Sequence, residues 1–361
     1  MGAFFALSLQ TDSPSFANAI LLWAGDETAA PDRLMRLSKP FSLLLPLFLY
    51  KMGLAAYVAL LVQQHLAFAL SLFFLYKIGL KLSNSVHLAQ LFTVLYAGSG
   101  AVGVYGLAIL VDMSAWAAML GLILLILNFY DNNKFTYNKL FLLGICLALG
   151  FFVKENVAVA GIFLFLLIIL NPYFAAKVKF CQLITAGAGF LPVLIGGLFF
   201  TRFYFGYNLI DWIIFNKNNA VTYQSPFLAF CTQTFRSLDL GWFLVFWGIF
   251  AYFFINKTQK KRFDSSEKAF ILTGVLGLGL FPLIWGYYMD RILFMFAPCW
   301  LYLAAFGLQF LYKKGYFLAF VAAFLNILAN LVVYNFPIAH FLPLVYGFYA
   351  ILLIIMIKIK S

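Results

Sequence analysis

Charge is scarce in this chain. Only 10% of its 361 residues are Asp, Glu, Lys or Arg, while 65% are hydrophobic and the mean hydropathy is +0.98. That balance excludes an ordinary soluble globular domain. Cysteine and histidine are scarcer still. Cys146, Cys181, Cys231 and Cys299 form no CxxC, and His65, His87 and His340 are far apart, so no His/Cys metal motif is present. No GxxxxGK[ST] occurs, and the longest loop on the basic side, NKTQKKRFDSSEK, is too short to hold a nucleotide-binding domain. Acids number 12 against 24 basic residues, a net charge of +12. The basic residues nevertheless fall in short loops between apolar runs, which argues against nucleic acid as a partner. The opening MGAFFALSL lacks a basic n-region. It reads as the end of a first span or as a start outside the membrane, not as a cleavable signal.

What is abundant is apolar sequence in lengths near the ~20 residues that cross a bilayer. Runs lie near 53–76, 86–111, 113–130, 140–153, 157–171, 180–201, 238–256, 269–289, 292–312, 316–335 and 341–357. They predict an all-α, polytopic transmembrane helical bundle over residues 1–361, with eleven spans, or twelve if residues 1–9 finish a first one. The loops alternate in character. One set carries fifteen of the 24 basic residues and only Asp131, Asp264 and Glu267 among the acids. By the positive-inside rule that set is cytoplasmic. The other side holds nine basic and nine acidic residues, together with both long loops, 10–40 and 202–237. An enzyme organised this way takes its donor from the membrane and works on the outer face, in a bacterial inner membrane the periplasmic one.

Several charges sit at the edge of apolar runs on that outer side. Lys154 and Glu155 stand side by side in GFFVKENVAV. The helix before them, from Lys139, is about 22 Å long and the one after them, to Asn171, about 24 Å, at 1.5 Å per residue. Neither crosses the ~30 Å hydrocarbon core, which puts the pair below the surface in a protein-lined or watery cavity. Asp112, Arg202 and the Asp290–Arg291 pair occupy similar junctions. Such residues either serve a site, pair structurally with other helices, or merely snorkel.

In the first outer loop, Ser13 suits an N-cap, Pro14 the first helical position and Gly25 a C-terminal stop. PSFANAILLWA between them suits a juxtamembrane helix, and PDRLMRLS a second short one. Asp12 lies just ahead of the first helix, where it either opens onto the cavity or only caps the helix.

In order along the chain, TDSPSF, RLSKPFSLLLPLFLYKMG, LAILVDMSAWAAMLGLILLIL, LGICLALGFFVKENVAVAGIFLF and YYMDRILFMFAPCWLYLAAFGL resemble segments of the GT-C superfamily of membrane glycosyltransferases. These include protein O-mannosyltransferases and the aminoarabinose transferase of lipid A. The resemblance covers roughly residues 10–310. It departs in the first span, in a single Asp where many relatives have paired acids, and in the soluble C-terminal domain that some relatives have. The resemblance implies transfer of a sugar from a polyprenyl phosphate donor to a hydroxyl of a lipid, glycan or protein. It implies Asp12 as general base, and Lys154, Arg202 and Arg291 as ligands of the departing phosphate. Asp112, Glu155 and Asp290 then either orient these cations or help bind Mg²⁺ or Mn²⁺, as in some relatives. A transporter or flippase for a lipid-linked sugar and an inactive scaffold of the same fold are the alternatives. A transporter predicts charges near the midplane and related halves; here the charges gather on one side and no halves repeat.

Overall fold

The computed structural model describes residues 12–26, 34–99, 101–106, 110–130, 135–218, 241–259, 264–284 and 290–314, with positions 230, 231, 233, 234, 237, 238 and 321. The expected runs 316–335 and 341–357 lie outside the described residues but for position 321, as do residues 1–11 and much of the loop 202–237. Within the described residues every element is helical and none is a strand.

Helix α1 (Ser13–Ala24) has Pro14 in its first turn and ends at Gly25, whose φ of 82° is the left-handed conformation that releases the chain. Two 3-10 turns, Leu34–Ser38 and Pro40–Ser42, lead to α2 (Leu44–Lys51). Then come α3 (Ala56–Ser83) and α4 (Val86–Ala97). They are separated by left-handed Asn84 and by Ser85, whose hydroxyl accepts from the Leu88 N–H. The single span expected over 86–111 is broken: α4 stops at Ala97, and a π-helical turn, Val102–Gly106, precedes α5 (Asp112–Phe129). Four glycines in AGSGAVGVYG explain the break, since glycine gives up more conformational freedom than any other residue in a helix.

Helix α6 (Tyr137–Phe151) is capped by Thr136, then a 3-10 turn (Glu155–Val157) leads to α7 (Ala158–Ile169). The remaining elements are α8 (Ala176–Phe205), α9 (Leu209–Asn218), α10 (Gly241–Gln259), α11 (Ser265–Ile284), α12 (Asp290–Leu293) and α13 (Ala297–Lys314). Among the described residues four stretches, Ala56–Ser83, Asp112–Phe129, Ala176–Phe205 and Phe294–Leu311, are long and apolar enough to cross a membrane. The described residues are all-helical, and these four helices mark a membrane protein.

Helix α5 and the stretch Phe294–Leu311 form the centre, and α8 is peripheral, with few buried residues. Trp116, Tyr96 and Phe294 meet in this core, the two rings 4.7 and 5.5 Å from Phe294. A smaller apolar cluster fixes α1: Phe16, Ala17 and Ile20 pack with Leu37, Leu43 and Leu60.

Helix α8 is held to α6 by backbone contact. A Cβ on Gly144 would lie 2.0 Å from the Ala186 carbonyl oxygen, and one on Gly189 2.1 Å from that of Phe141. Small residues at such crossings let helices approach where lipid supplies no hydrophobic drive. Gly187, on the same helix, faces open space. Gly144→Ala is therefore expected to destabilise the protein by about 1–3 kcal/mol through overpacking. Gly187→Ala is expected to be neutral or stabilising by up to about 1 kcal/mol. Thermal unfolding in detergent checks both, and equal losses would refute the crossing.

Candidate functional site

Six charged side chains converge at the end of the bundle where α3 and α5 begin and α6 ends. Asp112 opens α5 and is almost completely buried, and its carboxylate takes a hydrogen bond from the Lys154 ammonium. Lys154 follows α6 in extended backbone, which turns it away from its neighbour Glu155. Glu155 pairs instead with Lys39, at 2.5 Å. Arg36, three residues earlier, pairs with Asp12 at 3.0 Å and lies over the Phe16 ring, 4.5 Å from its centroid. Lys39 feels the charges of Glu155, Lys154 and Arg36 together. The pairs thus form one network with three positive and three negative members.

Local structure explains the convergence. The Phe41 N–H donates to the Phe152 carbonyl at 3.2 Å, and their rings meet edge to face. This ties the turn carrying Lys39 to the end of α6 carrying Lys154. Below it, Gln63 on α3 donates to the Ser42 carbonyl at 3.0 Å and to the Ser114 hydroxyl at 2.8 Å. Gln64 also donates to Ser114 Oγ, and its own carbonyl accepts from the Ser114 N–H. Two adjacent glutamines therefore lock α3 to the first turn of α5.

An apolar groove starts at this polar collar. Its volume is about 730 Å³, and α3, α5 and α6 form its walls, from Gln63, Ser114 and Val153 at the charged end to Phe74, Leu125 and Cys146 at the other. The eleven residue-to-residue steps from Ser114 to Leu125 correspond to roughly 16 Å of helix. Leu66, Leu70 and Leu149 on its rim are exposed, so the groove opens sideways.

The structure places the expected site residues differently from one another. Asp12, Asp112, Lys154 and Glu155 meet in the network. Asp12 occupies the N-cap position of α1 in place of the expected Ser13, but its side chain makes no capping bond, which removes the reading of Asp12 as a mere cap. Arg202 lies at the same end near the turn of Arg36, yet it is 57% exposed and bonded to Asp211 at 2.8 Å. It stands outside the network because a nearer carboxylate holds it. The backbone of Asp290 and Arg291 forms α12, and Phe294 just after them packs on Trp116, one helical turn from Asp112. Their side chains lie outside the described residues.

Sequence reasoning assigned no role to Arg36 and Lys39. They belong to the RLSKP segment, whose Arg-x-x-Lys-Pro spacing was the available signal. Each carboxylate of the network is already bonded to a cation, and among the described residues no three metal-ligating side chains gather.

Burial lowers the affinity of Lys39 for its proton, and Lys154 and Arg36 add to this against the pull of Glu155, bringing it from 10.5 to about 8. An anion bound here is expected to weaken as pH rises through about 8. Stability is expected to move the other way. The unfolded chain holds more protons on Lys39 than the folded chain between about 8 and 10.5, so unfolding free energy rises with pH in that window. Titrating anion affinity in wild type and Lys39→Arg checks this. The arginine stays charged, and a step near pH 8 that survives the substitution would assign it to another group.

No protein-family model, curated protein or solved structure matches this chain.

Proposed function

We propose that the protein is a membrane glycosyltransferase of the GT-C type that it resembles in sequence. It moves a sugar from a polyprenyl phosphate donor to a hydroxyl of a lipid, glycan or protein acceptor. The observation that carries the reading is the buried network of Arg36, Lys39 and Lys154 with three carboxylates, whose chain neighbours Phe41, Ser114 and Val153 line one end of an apolar groove. A ligand matching both parts has a phosphate at one end and a hydrocarbon chain at the other.

In this reading the chain lies in the groove and the phosphate meets the three cations. The acceptor oxygen forms a bond to the anomeric carbon while the bond from that carbon to the phosphate oxygen breaks. The acceptor proton passes to Asp12, and polyprenyl phosphate leaves carrying the electron pair of the broken bond. Cations in a site of low dielectric stabilise that developing charge. The charge asymmetry of the loops supports an orientation with the network outside, and the eleven apolar runs support a bundle larger than the four long helices. The same asymmetry supports the periplasmic side of a bacterial inner membrane.

The test uses purified protein in nanodiscs with a polyprenyl phosphate sugar. Asp12→Asn is expected to lower turnover by about 10²–10⁴-fold with donor affinity nearly unchanged. Lys154→Met is expected to weaken donor binding, and also to destabilise the fold by about 3–5 kcal/mol because the buried Asp112 loses its ammonium partner. Adding Asp112→Leu is expected to restore stability but not binding, which separates the two effects. Wild-type turnover by Asp12→Asn would remove it from the base role. A wild type that binds no such donor would sink the proposal.

A further inference from the structure

The charged side chains of the network all have partners, but a polar side chain beside them has none among the described residues. Asn156 sits in the 3-10 turn between α6 and α7, next to Glu155 and two residues from Lys154. It is 0% exposed, and among the described residues neither its amide nitrogen nor its amide oxygen has a hydrogen-bond partner. A buried polar group left in that state costs about 1–3 kcal/mol, so a leucine of similar size would serve the fold better. The turn packs against α5, α6 and α7, and both of its flanking charges are tied to other elements, Glu155 to Lys39 and Lys154 to Asp112.

We infer that Asn156 recognises the sugar of the lipid-linked donor by hydrogen-bonding its hydroxyl groups through both ends of the amide. The inference rests on the glycosyltransferase reading of the same site. Its chemical basis is the pairing that the amide requires. The NH₂ needs an acceptor and the C=O needs a donor, and a hydroxyl offers both. A phosphodiester oxygen only accepts, and it is better met by the ammonium and guanidinium groups nearby. The two kinds of group at this end therefore divide the head group between them: Arg36, Lys39 and Lys154 take the phosphate, and Asn156 takes the neutral, hydroxyl-bearing ring beyond it. Two residues of chain, at most about 7 Å, separate Lys154 from Asn156, a distance that a sugar ring attached to the phosphate bridges.

The experiment measures two affinities for the full chain in nanodiscs. The probes are undecaprenyl phosphate and the same lipid carrying mannose, glucose or aminoarabinose. Wild type is expected to prefer at least one glycosylated form over the bare lipid. Asn156→Leu is expected to weaken that form by about 10–100-fold, equivalent to about 1.4–2.8 kcal/mol. Bare lipid is expected to change less than two-fold, and the thermal midpoint to stay level or rise. Asn156→Ala guards against a leucine that does not fit, and is expected to show the same split between the two lipids. Equal weakening of both lipids would mean that Asn156 shapes the network, and no weakening of either would mean that it serves the fold alone; each overturns the inference. So does a wild type that binds bare and glycosylated lipids alike. A wild type that binds neither overturns the glycosyltransferase reading and this one together, which distinguishes the two failures.

Discussion

Burying an ammonium group is costly unless an opposite charge answers it at close range. Lys39, with only 3% of its side chain exposed, is answered by Glu155. That one contact draws together two parts of the chain more than a hundred residues apart. It places the turn after α1 against the turn after α6, and so lets Arg36 and Asp12 stand beside Lys154 and Asp112. The backbone bond from Phe41 to Phe152 and the glutamine bridge to Ser114 then hold the arrangement from below. Because positive and negative members are equal in number, the network tolerates burial as a whole where none of its members would alone.

The apolar parts of the molecule answer to a different constraint. In a bilayer, helices gain nothing by hiding leucine from lipid, so they associate through close packing and polar contacts. The glycines at the α6 and α8 crossing and the second pair, Gly248 and Gly307, between α10 and α13 bring backbones into direct contact. Between α3, α5 and α6 a groove remains, lined by Ala117, Ala118 and Gly121 as well as by leucines.

Much of this was legible in the sequence. The apolar runs located α3 to α8, α10, α11 and α13 but not α2 or α9, and the charges near helix ends singled out Asp12, Asp112, Lys154 and Glu155. Four things were not legible, each for a physical reason. The run 86–111 hid its break because hydropathy is blind to the glycines that end α4. Arg36 and Lys39 resembled ordinary interfacial cations, since their burial depends on a contact to α6 that no local pattern encodes. Arg202 resembled a site residue, but Asp211, nine residues on, satisfies it at the surface. Asn156 carried no signal at all, because a lone asparagine in a turn is common and only its missing partners set it apart.

The groove's sideways opening sets the units in which its occupancy is counted. With Leu66, Leu70 and Leu149 exposed along the rim, the lipid-linked donor of the proposed reading would reach the cavity by lateral diffusion without crossing water. Occupancy then follows the mole fraction of that lipid in the surrounding leaflet, not its molarity in the sample. Diluting the protein leaves the groove as full as before, whereas adding plain phospholipid or detergent empties it.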